Sequence, residues 1–123
     1  MHPIHSEQAP AAIGPYSQAM VVGNLVFTSG QIPINPATNT VEAADIQAQT
    51  EQVCKNLAAL LSAAGSSLQK VVKTTCYLQD MADFAAFNEV YAQYFTEKPA
   101  RSCIAVRTLP KNVLVEIDAI AEI

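Results

Sequence analysis

At 123 residues, half of them hydrophobic and 15% charged, the chain has the size and apolar content of one folded domain over residues 1–123 and excludes a disordered tail or a second core. A net charge of −4, with Lys70, Lys73, Arg101, Arg107 and Lys111 scattered and not interleaved with aromatics, argues against a nucleic-acid surface. The cysteines Cys54, Cys76 and Cys103 are odd in number and show no CxxC or Cys/His ligand spacing, so neither a disulfide framework nor a metal site is expected.

His2 and His5 lie near a free end without further ligands and read as solvated. The opening residues carry no cationic start and no apolar h-region, and no apolar run is long enough for a bilayer. The expectation is a cytoplasmic protein with no membrane contact. So low a charged fraction also suggests apolar surface hidden in an oligomer.

In chain order, Gly14-Pro15 breaks the leading segment. Two short apolar runs follow, Gln18 to Val22 and Leu25 to Ser29. The intervening Gly23-Asn24 suits positive φ angles and predicts a hairpin. Pro33 and Pro36 force a loop through Thr40. From Ala44, Ile46, Val53, Leu57, Leu60, Leu61 and Ala64 recur at three- and four-residue spacing and predict an amphipathic helix stopped by Gly65. Lys70 to Leu78, rich in Val and Thr, predicts a strand. Asp80 or Asp83 can cap a second helix with the stripe Phe84, Phe87, Tyr91, Tyr94 and Phe95, ended near Pro99. Arg101 to Arg107 and Val113 to Ile123 alternate, with Pro110 and Asn112 in a turn between them, which predicts a closing hairpin. The order β-β-α-β-α-β-β predicts an α+β mixed sheet with both helices on one face.

Strand side chains alternate between faces. In the last strand Val113, Val115, Ile117, Ala119, Ala121 and Ile123 are all apolar and should meet the helices, which turns Glu116 and Asp118 away. If Ser102, Ile104 and Val106 likewise face the helices, Arg101 and Cys103 share the second face with Glu116. That face mixes charges with Leu114, Ile120 and Ala105, and another subunit would have to cover it. A plain surface ion pair is the simpler alternative from pattern alone.

Four segments then carry a resemblance. Pro99-Ala100-Arg101-Ser102-Cys103-Ile104-Ala105-Val106 with Leu114-Val115-Glu116-Ile117 resembles the C-terminal signature of the RidA (YjgF-like) enamine/imine deaminase family. Ala9 to Ala19, containing Ile13-Gly14-Pro15-Tyr16-Ser17-Gln18, is similar to its N-terminal motif. Phe27-Thr28-Ser29-Gly30-Gln31-Ile32-Pro33 is similar to its second-strand motif, and Phe87-Asn88-Glu89-Val90-Tyr91 to its second-helix motif. The resemblance spans essentially the whole chain. The start Met1-His2-Pro3-Ile4-His5 departs from the lysine-bearing opening of many members, and the stretch between Tyr94 and Pro99 is short beside some relatives.

The resemblance implies a chorismate-mutase-like fold. It implies a homotrimer in which three sheets form a central barrel, with sites in the clefts between subunits. It also implies hydrolysis of 2-aminoacrylate and 2-aminocrotonate, through their imine tautomers 2-iminopropanoate and 2-iminobutanoate, to 2-keto acids and ammonia without cofactor or metal. Arg101 would clamp the substrate carboxylate with a bidentate fork that lysine does not offer. Glu116 would activate water and protonate the leaving nitrogen. Tyr16 would pack against the ligand. Ser29, Gly30 and the backbone N–H of Cys103 would approach the carboxylate, with Asn88 as an amide at the site. No covalent role is expected of Cys103, which has no histidine nearby in sequence. Two other readings stand beside this one: a non-catalytic binding module for small 2-keto carboxylates, and a ribonuclease or translation inhibitor, which the acidic balance opposes.

Overall fold

A computed structural model describes residues 1–123. Its strands are β1 (His2–Ile4), β2 (Ala19–Val22), β3 (Leu25–Thr28), β4 (Val71–Leu78), β5 (Ala100–Ala105) and β6 (Val115–Glu122), and its helices are α1 (Ile46–Ala63) and α2 (Phe84–Tyr94). All six strands form one sheet in the order β1-β2-β3-β6-β4-β5. β1 precedes the expected order; three residues give no readable period, and the strand exists because it pairs along β2 from His2 opposite Val21 to Ile4 opposite Ala19. β4 and β5 are parallel, joined through α2, and every other neighbouring pair is antiparallel.

The β2–β3 hairpin turns in two residues, Val22 being paired with Leu25. Only Gly23 takes a positive φ, 58°, the pattern of a type II′ turn and not of type I′. α1 starts where the Asp45 carboxylate accepts from the Ala48 N–H at 2.8 Å, satisfying one of the unpaired amides of the first turn. It ends in a Schellman motif: Ser66 N–H donates to the Leu61 carbonyl at 2.8 Å and Gly65 N–H to that of Ser62 at 3.0 Å, with Gly65 at φ 82°. Gly65→Ala meets no steric obstacle but must hold that left-handed backbone. It is expected to destabilise the fold by about 1–2 kcal/mol, read as a lower urea midpoint at unchanged slope. For the second helix, Asp80 is the side-chain cap, accepting from Ala82 N–H at 2.9 Å at the start of a 3-10 turn that runs into α2. Asp83 makes no capping bond.

The core lies between the sheet and the two helices. Val53, Leu57, Leu60 and Leu61 of α1 meet Val115, Ile117, Ala119 and Ala121 of β6 and Cys76 and Leu78 of β4. The stripe and the strand alternation read from sequence are these contacts. Buried amides lock loops onto this frame. Asn56 on α1 donates to the carbonyls of Ile32 at 3.1 Å and Ile34 at 2.9 Å, and Gln49 accepts from Leu114 N–H at 2.8 Å. Removing either amide would leave buried backbone groups without partners.

Two expectations are corrected. β5 and β6 form no hairpin: β6 lies between β3 and β4, and β5 pairs only with β4. The connecting residues 106–114, with a 3-10 turn at Pro110–Asn112, are long enough to carry the chain across β4, whereas a tight hairpin needs a short loop. The face assignment of β5 is also reversed. Arg101, Cys103 and Ala105 pair with Thr74, Cys76 and Leu78, which are fully buried on the helix side. Ser102 and Ile104 therefore look out from the open face, where Ile104 is 49% exposed. Apolarity misleads here because β5 is an edge strand. Its helix side meets aromatic rings that accept an arginine, while the open face of the sheet presents a row of apolar side chains, Met20, Phe27 and Ile120, in register.

Candidate functional site

Five of the residues singled out in the sequence line two clefts on opposite faces of the sheet, and Ser29 and Cys103 lie next to them in the chain or on the same strand. The first, about 220 Å³, is lined by Tyr16, Gly30 and Glu116 with Ile13, Ile32 and Ile34 as apolar walls. Glu116 leaves the open face of β6 and is partly buried. Burial, and secondarily the charge of Asp118, raises its pKa above the usual carboxylate value. Gly30 is a contact surface for it. A β-carbon there would stand 2.8 Å from the Glu116 Cδ and closer still to Oε2. The approach is fixed by Gln31, which exchanges two backbone bonds with Ile117, 2.8 Å and 3.1 Å.

The leading loop is held over this cleft by two side chains, Gln18, which sequence reasoning missed, and Ser29. Buried Gln18 donates to the carbonyls of Ser6 at 2.9 Å and Pro10 at 2.7 Å and accepts from Ser6 N–H at 2.7 Å. The Ser29 hydroxyl donates to the Ser17 carbonyl at 2.6 Å. In this geometry its proton is committed to the loop, so the hydroxyl tethers the Tyr16 segment and faces any ligand as an acceptor. Tyr16 stands 53% exposed at the rim.

Ionising Glu116 in the folded chain opposes its desolvation, so folding holds its proton more tightly than the unfolded chain does. Its contribution to stability is greatest below the unfolded carboxylate pKa and falls as pH rises through the elevated folded value. Glu116→Gln is expected to lose this slope. Its urea midpoint should equal or exceed wild type at neutral pH, with the difference vanishing under acid conditions.

The second cleft, about 350 Å³, opens on the helix side and is lined by Asn88, Tyr91, Phe95, Lys98 and Arg101. Arg101 donates through Nη1 to the Asn88 Oδ1 at 2.7 Å. Its guanidinium carbon lies 4.7 Å from the Tyr91 ring centroid and 5.4 Å from that of Phe84. The chain's only ion pair is Lys55–Glu51 at 3.9 Å, so Arg101 has no carboxylate partner. Asn88 must turn its carbonyl to the guanidinium, which leaves its NH₂ facing outward as a second donor. Cys103 follows on the same face. Its thiol is pushed up by burial, an effect the Arg101 charge and a bond to Cys76 only partly offset, so it stays protonated and weakly nucleophilic. Nowhere do three His, Cys, Asp or Glu side chains converge as metal ligands.

Asn88, Arg101 and Cys103 thus form one group, and Tyr16, Ser29, Gly30 and Glu116 another; one chain does not bring them together. The two groups sit on a six-stranded mixed sheet backed by two helices, the fold of the YjgF and L-PSP proteins. Residues 6–123 match the family described as Endoribonuclease L-PSP. A RutC family protein of Pyrococcus horikoshii is 57% identical over 96% of this chain and 94% of its own. The YjgF protein of E. coli superposes with a TM-score of 0.95 at 48% identity over 99% of this chain and 98% of that one. The E. coli TdcF structure with bound serine superposes with a TM-score of 0.95 at 45% identity over 100% of this chain and 99% of that one. The chain belongs to the YjgF/RidA/RutC family.

Proposed function

We propose that the chain hydrolyses 2-imino acids, the tautomers of 2-aminoacrylate and 2-aminocrotonate, to 2-keto acids and ammonia, in a site completed by a second copy of itself. The observation that carries this reading is Arg101: a partly buried, oriented guanidinium with no acidic partner in its own chain. A small 2-imino carboxylate offers the planar anion such a fork accepts. The TdcF structure with bound serine, an amino acid with the same carboxylate, supports that ligand class for the family.

The two half-sites face opposite sides of the sheet, so substrate held at Arg101 and Asn88 meets Glu116 only from a neighbouring chain. The exposed apolar residues Phe27 and Ile104 on the open face favour such packing, and a closed trimer fits the head-to-tail geometry. In the reaction, the Glu116 carboxylate takes a proton from water as oxygen adds to the carbon of the protonated imine, giving a carbinolamine. The resulting carboxyl returns that proton to the amine nitrogen. The C–N bond then breaks as the Glu116 carboxylate takes the hydroxyl proton and the C=O forms, and ammonia carries that proton away as ammonium beside the keto acid. A pKa raised toward neutrality suits a group that must both accept and give that proton. The apolar walls Ile13, Ile32 and Ile34 suit a short aliphatic side chain. No thiolate is needed, in keeping with the protonated Cys103.

The test is a coupled assay in which a serine or threonine dehydratase generates the intermediate. Added protein is expected to speed keto acid and ammonia release. Arg101→Ala should abolish the gain, and a variant as active as wild type would end the clamp argument. Binding of 2-oxobutanoate in calorimetry without acceleration would support a binding module instead. A nucleic-acid role draws on the family description alone; the net charge of −4 weighs against it.

A further inference from the structure

Arg101 is held without an acidic partner, and the way it is held determines which of its donors stay free. Thr74 is its register partner on β4, so the two side chains start from neighbouring strands on the same side of the sheet. The Thr74 hydroxyl lies 2.7 Å from the Tyr91 hydroxyl, both inside the core. Thr74 also accepts from the Cys76 thiol at 3.8 Å. The Tyr91 ring is fixed further by Phe95, stacked at 4.4 Å and 24°, and by Phe87 at 5.6 Å. Its face carries the Arg101 guanidinium.

We infer that Tyr91, locked by Thr74, is the positioning residue of the carboxylate clamp: it supports the guanidinium by its π-face, so that the N–H edge stays unoccupied for substrate. The inference rests on the clamp reading of Arg101. A guanidinium has five N–H donors in one plane, and Asn88 takes one. A glutamate or aspartate in place of the ring would hold the cation equally well, but along that same edge, competing with the substrate carboxylate. An aromatic face attracts the cation without consuming a donor. Fixing the ring also removes rotamer freedom from Arg101 before the ligand arrives, so less ordering is left to binding. Tyr91 touches no reacting atom. Its effect therefore falls on binding common to ground and transition states, which raises KM and leaves kcat nearly unchanged.

The test compares Tyr91→Leu, Tyr91→Phe and Thr74→Val, each checked for native thermal unfolding. Tyr91→Leu, which removes the face, is expected to raise KM for the imine about tenfold with kcat within about twofold. Tyr91→Phe and Thr74→Val, which keep the face but cut its tie, should each raise KM about threefold, and their double variant should do no more than either alone. In NMR of the intact oligomer, the Arg101 Nε–H resonance should be ring-current shifted in wild type and Tyr91→Phe and move part of the way back toward the random-coil position in Tyr91→Leu, where the more distant Phe84 ring remains. Unchanged KM in Tyr91→Leu, or loss of kcat equal to the rise in KM, overturns the proposal; so does an unshifted wild-type resonance. Should Tyr91→Leu fail to fold, the non-additive pair decides. Failure of the hydrolysis reading is separable. It would appear as no turnover by any protein, while calorimetry with 2-oxobutanoate would still show about tenfold weaker binding to Tyr91→Leu if the platform stands, and equal binding if it does not.

Discussion

Chains carrying Arg101→Ala and chains carrying Glu116→Gln, each nearly inactive alone, are expected to regain about a quarter of the proposed imine hydrolysis of wild type when unfolded and refolded together in equal amounts. The reasoning is geometric. Arg101 pairs with Thr74 on the helix side of the sheet, and Glu116 lies beside Gly30 on the open side, so a site using both takes one from each of two chains. In a random assembly each half of a site is intact with even odds, and the odds multiply. The reciprocal mixture sharpens the test. A double variant, Arg101→Ala with Glu116→Gln, mixed equally with wild type should also give about a quarter of the sites if they are shared, but about half if each chain carries its own. Mass spectrometry of the assemblies establishes that chains have exchanged. Mixed assemblies with no recovered activity would sink the shared site, whereas Arg101→Ala alone tests only the clamp.

The residues that carry these expectations were legible in the sequence to different degrees. The α1 stripe and the β6 alternation were plain, because a helix and a central strand buried on one side must repeat their apolar residues with the period of the backbone. For that reason the alternation puts Glu116 on its observed face, while the same reading of β5 puts Arg101 on the wrong one. β5 is an edge strand, and its outward Ile104 joins the apolar open face while its inward Arg101 rests on Phe84 and Tyr91. Hydrophobicity ranks those positions in the wrong order, because an arginine packed on rings counts as polar in any pattern. The pairing of β6 with β4 was equally hidden, since sequence neighbours favour a hairpin and only the long turn near Pro110 argues otherwise. The hydrogen bonds of Gln18 and the tether from Ser29 to Ser17 are invisible to periodicity, because each joins loops more than a turn apart by side-chain geometry. The motifs named the candidate residues; the registers determine which of them can meet in one chain.

Gly30 offers the second large effect. Gly30→Ala is expected to lower kcat for imine hydrolysis about 10²-fold, the scale of a misplaced general acid–base group, with KM changed only a few-fold. The glycine takes no positive φ, so the backbone would tolerate alanine. The obstacle is the Glu116 carboxyl, whose Cδ would lie 2.8 Å from the new methyl. The loop cannot retreat, because Gln31 is bonded to Ile117 on β6 in both directions, and Ile117 is the residue next to Glu116. The side chain must therefore swing away, toward solvent and off the line to the nitrogen of the proposed substrate. The same motion removes the burial that raises its pKa. The reaction starts from the carboxylate form and is lost as pH falls through that pKa, so the acid limb of the residual activity of Gly30→Ala should lie at lower pH than that of wild type. A displaced carboxyl also predicts non-additivity: in a Glu116→Gln background the same glycine substitution should cost little further kcat. An unshifted pH limb, or full additivity with Glu116→Gln, would show that Gly30 serves the substrate carboxylate alone and does not set the position of the acid.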